Sequence, residues 1–291
     1  ADTHCTMSGH LTVFEALFPA GTLGFWLTSL AWTVFFLAVW GVVYGVLKTT
    51  WTPTGSASCA TWALKLAMLV HHIIVSVASF TVMFQDETTR DLFWCFGCAE
   101  AAKNMIISPP FHFATWLPPI TIGYMAADLI LIKSWMVSKS QTDNYLMIAH
   151  HIGSMVVWPL AVTHDCCTRY IVILISTEIS SIFLTVKFIF EQTGRKAGLL
   201  FKVNGLLFSL SFIVVRVLAA VPQLVAMYNA PPFGLRTWNS AMPDLPNWGR
   251  FISLALLIPH VMNFFWGYKV TMGIIAIFRG SRKRPLSEEQ Q

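Results

Sequence analysis

The chain has 291 residues, 55% of them hydrophobic and only 11% charged, with a net charge of +5 and a mean hydropathy of +0.62. A soluble domain carries roughly 25% charged residues, so this composition excludes an ordinary water-soluble domain and points to an integral membrane protein. Four of the positive charges crowd into "FRGSRKRP" near the C-terminus. In so apolar a chain that cluster reads as a cytoplasmic flank that fixes topology, not as a nucleic-acid contact.

Residues 1–22 form an N-terminal segment ahead of the first apolar run. Its opening, "ADTHCTMSGHLTVF", has no basic n-region and no short h-region, so it does not read as a signal peptide. A spanning helix needs about 20 apolar residues. Seven stretches qualify: about 23–47, 62–84, 120–138, 145–163, 169–190, 198–228 and 249–278. The last two are long enough to tilt, break or extend beyond the bilayer. Between the second and third, residues 88–118 are partly apolar but interrupted by charges and by Pro109-Pro110 and Pro118-Pro119. That segment reads as interfacial or re-entrant. The expected fold is therefore all-α: a polytopic membrane helix bundle of about seven spans over residues 23–278. A basic-then-acidic tail follows at 279–291.

An odd number of spans puts the two ends on opposite sides. Lys48, Lys139, Arg195, Lys196, Arg279, Arg282, Lys283 and Arg284 then share the C-terminal side, against Arg90, Lys103, Arg169 and Arg236 on the other. The excess of basic loop residues predicts a cytosolic or matrix-side C-terminus and an exoplasmic or intermembrane N-terminal segment. The same assignment gathers Cys5, Cys95, Cys98, Cys166 and Cys167 on the face poor in Lys and Arg, which is usually the oxidising one. Disulfides among Cys95, Cys98, Cys166 and Cys167 are one expectation there. Zinc binding by these thiols with His164 and free buried thiols are the alternatives, and no metal site is assigned.

The spans themselves carry groups that hydrocarbon does not tolerate alone. The second has Lys65, His72, Ser76 and Ser79 on one helical stripe, with His71 beside it. The third has Asp128 near its middle and Lys133. The fourth has His150 and His151, and the fifth has Glu178 among Thr177, Ser181 and Thr185. The sixth has Asn204 and Arg216, and the seventh has His260, Asn263 and Lys269. Each should face the bundle interior, so together they outline a polar seam between helices. His72, Asp128, His150, His151, Glu178, Ser181, Asn204 and Arg216 are the candidate cavity residues, with Glu178–Arg216 the expected ion pair.

The order of these residues is itself informative. "GYMAADLIL" (Gly123–Leu131) is followed by His150-His151, then "STEISSIFLTVKFIF" (Ser176–Phe190) and "KVNGLLFSLSFIVVRVL" (Lys202–Leu218). Together with "LVHHIIVSVASF" (Leu69–Phe80), this resembles the TLC-domain family, the TRAM–LAG–CLN group of multi-pass membrane proteins, over about residues 60–280. The resemblance implies a helix bundle around a central cavity that admits lipid chains. In the family's ceramide synthase branch, a His-His pair and a later His-Asp-x-x-Asp motif accompany acyl transfer from acyl-CoA to a sphingoid amine. By spacing from His150, the first of those Asp positions falls on Glu178, the second on Ser181 and the preceding His on Thr177. The chain keeps the His pair and one acid but lacks the second carboxylate, so it looks closer to the non-ceramide-synthase branch.

Three functions are compatible with these residues. In an enzyme, His150 or His151 would be the base or the transient acyl carrier, and Asp128 or Glu178 would orient the imidazole. Lys65 or Arg216 could hold a phosphate or the oxyanion. Acyl-CoA would then be the co-substrate. In a binding protein, the seam holds a lipid headgroup and the surrounding apolar side chains hold its tails. In an accessory subunit, the same lipid-filled bundle joins other membrane protein subunits in a larger complex. The degraded motif favours the non-catalytic readings, with a bound phospholipid or acyl chain and no dedicated cofactor. Family resemblance points to the endoplasmic reticulum, and an assembly subunit could equally sit in the inner mitochondrial membrane.

Overall fold

The computed structural model describes residues 23–51, 57–94, 116–132, 141–163, 168–196, 198–229 and 254–281. Among them there are helices and turns and no strand. Among the described residues the α-helices run in chain order: α1 (Leu23–Thr50), α2 (Cys59–Gln85), α3 (Glu87–Trp94), α4 (Leu117–Ile130), α5 (Gln141–Thr163), α6 (Thr168–Ser176), α7 (Ile179–Gln192), α8 (Leu199–Phe212), α9 (Ala220–Asn229) and α10 (Leu257–Ser281). A π-helical turn, Ile213–Leu218, joins α8 to α9.

Five units are long and apolar enough to cross a membrane: α1, α2, α5, α6 with α7, and α8 through α9. The shorter apolar α4 and the 25-residue α10 are further helices compatible with a bundle of about seven spans. The chain is thus an integral, multi-pass membrane protein built as a helical bundle. Contacts at the two ends show the helices alternating in direction. At one end, where α1 finishes and α2 begins, Trp51 packs edge-on against Trp62, and the Ala57 N–H donates to Gln192 Oε1 at the end of α7. At the other end, Arg169 at the start of α6 donates to Asp86, which caps the end of α2.

Each boundary has a local cause. Ser58 starts α2 as an N-cap, accepting from the Thr61 N–H at 3.2 Å. The third span, expected from residue 120, begins three residues earlier. Pro118 and Pro119 occupy its first turn, where a missing N–H costs nothing. The rest of that expected span, 133–138, lies outside the described residues, as do Cys5, Cys95, Cys98, Cys166, Cys167 and His164. Of the segment 88–118, the described part is α3, which follows Asp86 directly, and the start of α4.

The fifth span, expected as one helix, breaks at Thr177–Glu178. Ser176 and Thr177 each turn a hydroxyl back onto a carbonyl three residues earlier, Ile173 and Leu174, both at 2.7 Å. The Thr177 and Glu178 amides bond three residues back as well, to Leu174 and Ile175. Side-chain hydroxyls that occupy main-chain acceptors compete with the regular ladder, and the helix tightens into a short three-residue turn. The sixth span changes pitch in the opposite sense. At its π-helical turn, Ala219 N–H reaches five residues back to Val214 O at 2.9 Å.

The core lies where α2, α4, α5 and α6 meet, around Val75, Ile122, Ala161 and Ile171–Ile173. The first span is apolar on all sides and exposes Leu27, Leu30, Val34 and Val42, as a lipid-facing helix does. It is held to the bundle by a close crossing with α4 at Gly123. A Cβ built there would lie 2.5 Å from Trp32 Cβ and 2.6 Å from Ser29 O. Gly123→Ala should therefore force the two helices apart and lower stability by about 1–3 kcal/mol. Gly205→Ala, where a Cβ meets nothing within 4 Å, should be neutral or slightly stabilising. Thermal unfolding of the two variants in detergent, followed by tryptophan fluorescence, checks the contrast.

Candidate functional site

A cavity of about 360 Å³ opens inside the bundle, walled by α2, α4, α5, the α6–α7 unit, the π-helical turn and α10. Its inner end carries His71, His72, Tyr124, Asp128, His150, His151, Glu178, Ser181 and Arg216. Its outer end, toward the side where α5 starts and α7 finishes, carries Lys65, Asp143, Lys187 and Glu191. Met68, Met147, Leu184 and Phe188 supply apolar wall between them.

Two buried constellations dominate the inner end. In the first, His72 Nδ1 lies 3.0 Å from Glu178 Oε2, and Arg216 Nη2 approaches Glu178 Oε1 at 3.8 Å. The sequence suggests Arg216 as the partner of Glu178, yet His72 is the nearer of the two. Arg216 spends its fork elsewhere: Nε donates to Ser180 Oγ at 2.8 Å, Nη2 to Ser181 Oγ at 3.1 Å and Nη1 to Asn263 Oδ1 at 3.1 Å. Both charged members sit at irregular backbone. Glu178 occupies the break between α6 and α7, and Arg216 the π-helical turn. Such interruptions at membrane depth are tolerated where the backbone is covered by protein or lines a cavity.

In the second, His151 Nε2 lies 2.9 Å from Asp128 Oδ2, with side chains 5% and 3% exposed. The other ring nitrogen, Nδ1, lies 2.9 Å from Met147 O. A carbonyl oxygen only accepts, so Nδ1 carries a proton. The carboxylate oxygen at Nε2 also accepts unless it is itself protonated. An attractive contact needs a second proton between Nε2 and Oδ2, on the ring or on the carboxyl. Either way the pair is neutral overall, and both nitrogens of His151 are engaged.

Tyr124 links the two constellations. Its ring stacks on His71 with centroids 3.9 Å apart and stands within 6.0 Å of His72 and 6.2 Å of His151. His71 itself is fully buried, with Nε2 at 3.5 Å from Thr121 Oγ1. Neither Tyr124 nor Thr121 stands out in the sequence. The usable signal is spacing, because Tyr124 sits four residues before Asp128 and Thr121 seven, on one face of α4. Two ion pairs at the outer end also escape a sequence reading: Lys269–Asp143 across α10 and α5, and Lys187–Glu191 along α7, each at 2.7 Å.

Of the candidate cavity residues, His72, Asp128, His150, His151, Glu178, Ser181 and Arg216 line this one cavity. Asn204 does not. It is buried on α8, where its Nδ2 donates to Phe183 O at 2.9 Å, and so it joins α8 to α7. His150 differs from its neighbour. Its ring meets His151 edge-on at 5.8 Å and makes no hydrogen bond with any described residue. Among the described residues no three His, Cys, Asp or Glu side chains converge as metal ligands.

A family model described as the TLC domain matches residues 61–272. The chain belongs to the TLC-domain family. The match takes in every residue that lines the cavity. The chain is also 24% identical over 237 residues to TLC domain-containing protein 4 of Homo sapiens, covering 79% of this chain and 80% of that protein. No solved structure matches. Within this TLC domain, the Ser181 hydroxyl is taken up by Arg216.

The proton count at His151 gives a test. In Asp128→Asn the amide N–H can donate to a neutral Nε2, so stability should change by less than about 1 kcal/mol. Asp128→Ala leaves the imidazole without that partner and should cost about 2–3 kcal/mol. Unfolding midpoints of the purified variants in detergent separate the two. An Asn variant as damaged as the Ala variant would mean that Asp128 must be an anion.

Proposed function

We propose that this chain is a lipid-binding membrane protein that holds one lipid in its central cavity. It works as a non-catalytic accessory subunit of a larger membrane assembly. The observation that carries the reading is the pairing of a closed polar network with an apolar wall in one 360 Å³ cavity. That volume falls in the range of small-molecule sites, which are roughly 300–1,000 Å³ and mostly apolar with a few placed polar groups. Most of the polar groups at the inner end are already spent on one another. His151 is held at both nitrogens, Arg216 is held at all three of its nitrogens, and Glu178 is shared between His72 and Arg216. A network so occupied suits positioning of a ligand better than proton transfer. Membership of the TLC-domain family favours the endoplasmic reticulum, and a subunit role is equally compatible with the inner mitochondrial membrane.

Native mass spectrometry of the protein extracted in mild detergent should show one retained lipid per chain and co-purifying partner subunits. Met68→Trp, which fills the apolar wall, should lower lipid occupancy several-fold with little loss of stability. A lone chain in its micelle with no lipid at any detergent concentration would sink the reading.

His150 supports a second reading, acyl-CoA-dependent N-acyl transfer. Its imidazole faces the cavity and makes no hydrogen bond with another described residue. The amine nitrogen would attack the thioester carbon, forming the C–N bond as the C–S bond breaks. His150 would take the amine proton and return it to the departing thiolate. A panel of acyl-CoAs and long-chain amines decides between the readings. Amide formation abolished in a folded His150→Ala variant would establish the enzyme, and no turnover with any pair would leave the binding role.

A further inference from the structure

The cations around the cavity are not equivalent. Lys187 and Lys269 each hold a carboxylate at 2.7 Å, and Arg216 is surrounded by two serines, Asn263 and Glu178. Lys65 has no such partner. Its ammonium lies 3.6 Å from Met68 Sδ, a weak acceptor, and 6.0 Å over the ring of Phe188, and it pairs with no carboxylate among the described residues. An ammonium has three donors to satisfy, so this one faces the cavity underused.

The charge count agrees. Including Lys269 with its partner, four cations (Lys65, Lys187, Arg216, Lys269) face four acids (Asp128, Asp143, Glu178, Glu191). The second proton of the Asp128–His151 contact removes one negative charge from that balance, which leaves at least one positive charge in excess. Depth agrees as well. The 27 residues of α2 make a helix about 40 Å long, the thickness of a bilayer with its headgroups. Lys65 comes six residues after the first, about 9 Å along the axis, which is the boundary between the headgroups and the hydrocarbon, within reach of a phosphate for a lysine side chain. From there the wall continues inward through Met68, Leu184 and Phe188, which suits tails.

We propose that the cavity takes an anionic, phosphate-bearing amphiphile and that Lys65 anchors its phosphate. The inference rests on the lipid-binding reading and names the ligand chemistry. A phosphate brings acceptor oxygens to the three ammonium donors and neutralises the excess charge.

The test uses the whole protein, stripped of lipid in detergent, with dioleoyl phosphatidic acid, dioleoylglycerol and inorganic phosphate as probes. The first two differ only by the phosphate. The wild type should bind phosphatidic acid about tenfold or more tightly than the glycerol. Lys65→Gln should erase that preference while leaving dioleoylglycerol affinity and the unfolding temperature unchanged, and Lys65→Arg should keep it. Equal affinities in the wild type, or a preference that survives Lys65→Gln, would overturn the anchor and leave lipid binding standing. Binding of neither lipid would overturn the lipid-binding reading together with this one. Displacement of phosphatidic acid by excess inorganic phosphate would assign Lys65 to a soluble anion and overturn the headgroup.

Discussion

A carboxylate in hydrocarbon must be met by donors, and Glu178 is met from two other spans, by His72 and by Arg216. Much of the bundle is arranged around that requirement. The sixth span must bring Arg216 to the fifth, and the second must turn His72 toward the same point. The serines at 180 and 181 then take the guanidinium donors that Glu178 does not. The run of hydroxyl residues from Ser176 to Ser181 serves twice. It breaks the helix at Glu178 by bonding back onto its own carbonyls, and beyond the break it offers hydroxyls to the arginine.

The second constellation follows a different rule. Asp128 and His151 lie deep between α4 and α5, and the Met147 carbonyl holds the ring from behind. That third partner fixes the ring's orientation and its proton, as the group behind a histidine usually does. The neighbouring His150, one residue away on the same helix, has no such support. Adjacent residues on a helix point about 100° apart, so two identical side chains meet different surroundings. Retention of a His pair therefore says little about catalysis until the partners of each ring are known.

Fold class and span count are legible in the sequence, because seven apolar runs in a chain so poor in charge admit few alternatives. The candidate site is legible to a useful degree for a related reason. Asp128, His151, Glu178 and Arg216 stand in runs of Leu, Ile and Val, where any charge must find a partner. The partners themselves are less visible. Glu178 and Arg216 suggest each other by sign, but distance favours His72 for the short contact, and only packing sets distance. Asn204 looks the same as the cavity residues in one dimension and proves to be a bond between α7 and α8. Tyr124 escapes notice because a tyrosine in a span is ordinary, and nothing in one dimension says that three imidazoles gather around its ring. The helix break at Thr177–Glu178 has a cue in its hydroxyl residues, whereas the π-helical turn has none in "IVVRVL", a run with no glycine or proline.

That turn makes chain length, and not only composition, a determinant of the cavity. A π-helical turn holds one more residue than the α-helical turn it replaces. Everything from Arg216 to the end of the sixth span is therefore offset by one position relative to α8. Adding a single residue upstream, among Ile213 to Val215, would overfill that turn and would carry Arg216 about 100° around its axis. The guanidinium would leave the seam without a single polar residue having been substituted. Alignments of such spans that place gaps freely within apolar runs would hide that event, since an extra Val among many costs almost nothing in similarity. The residue that keeps Glu178 neutralised in the membrane is thus placed by a count.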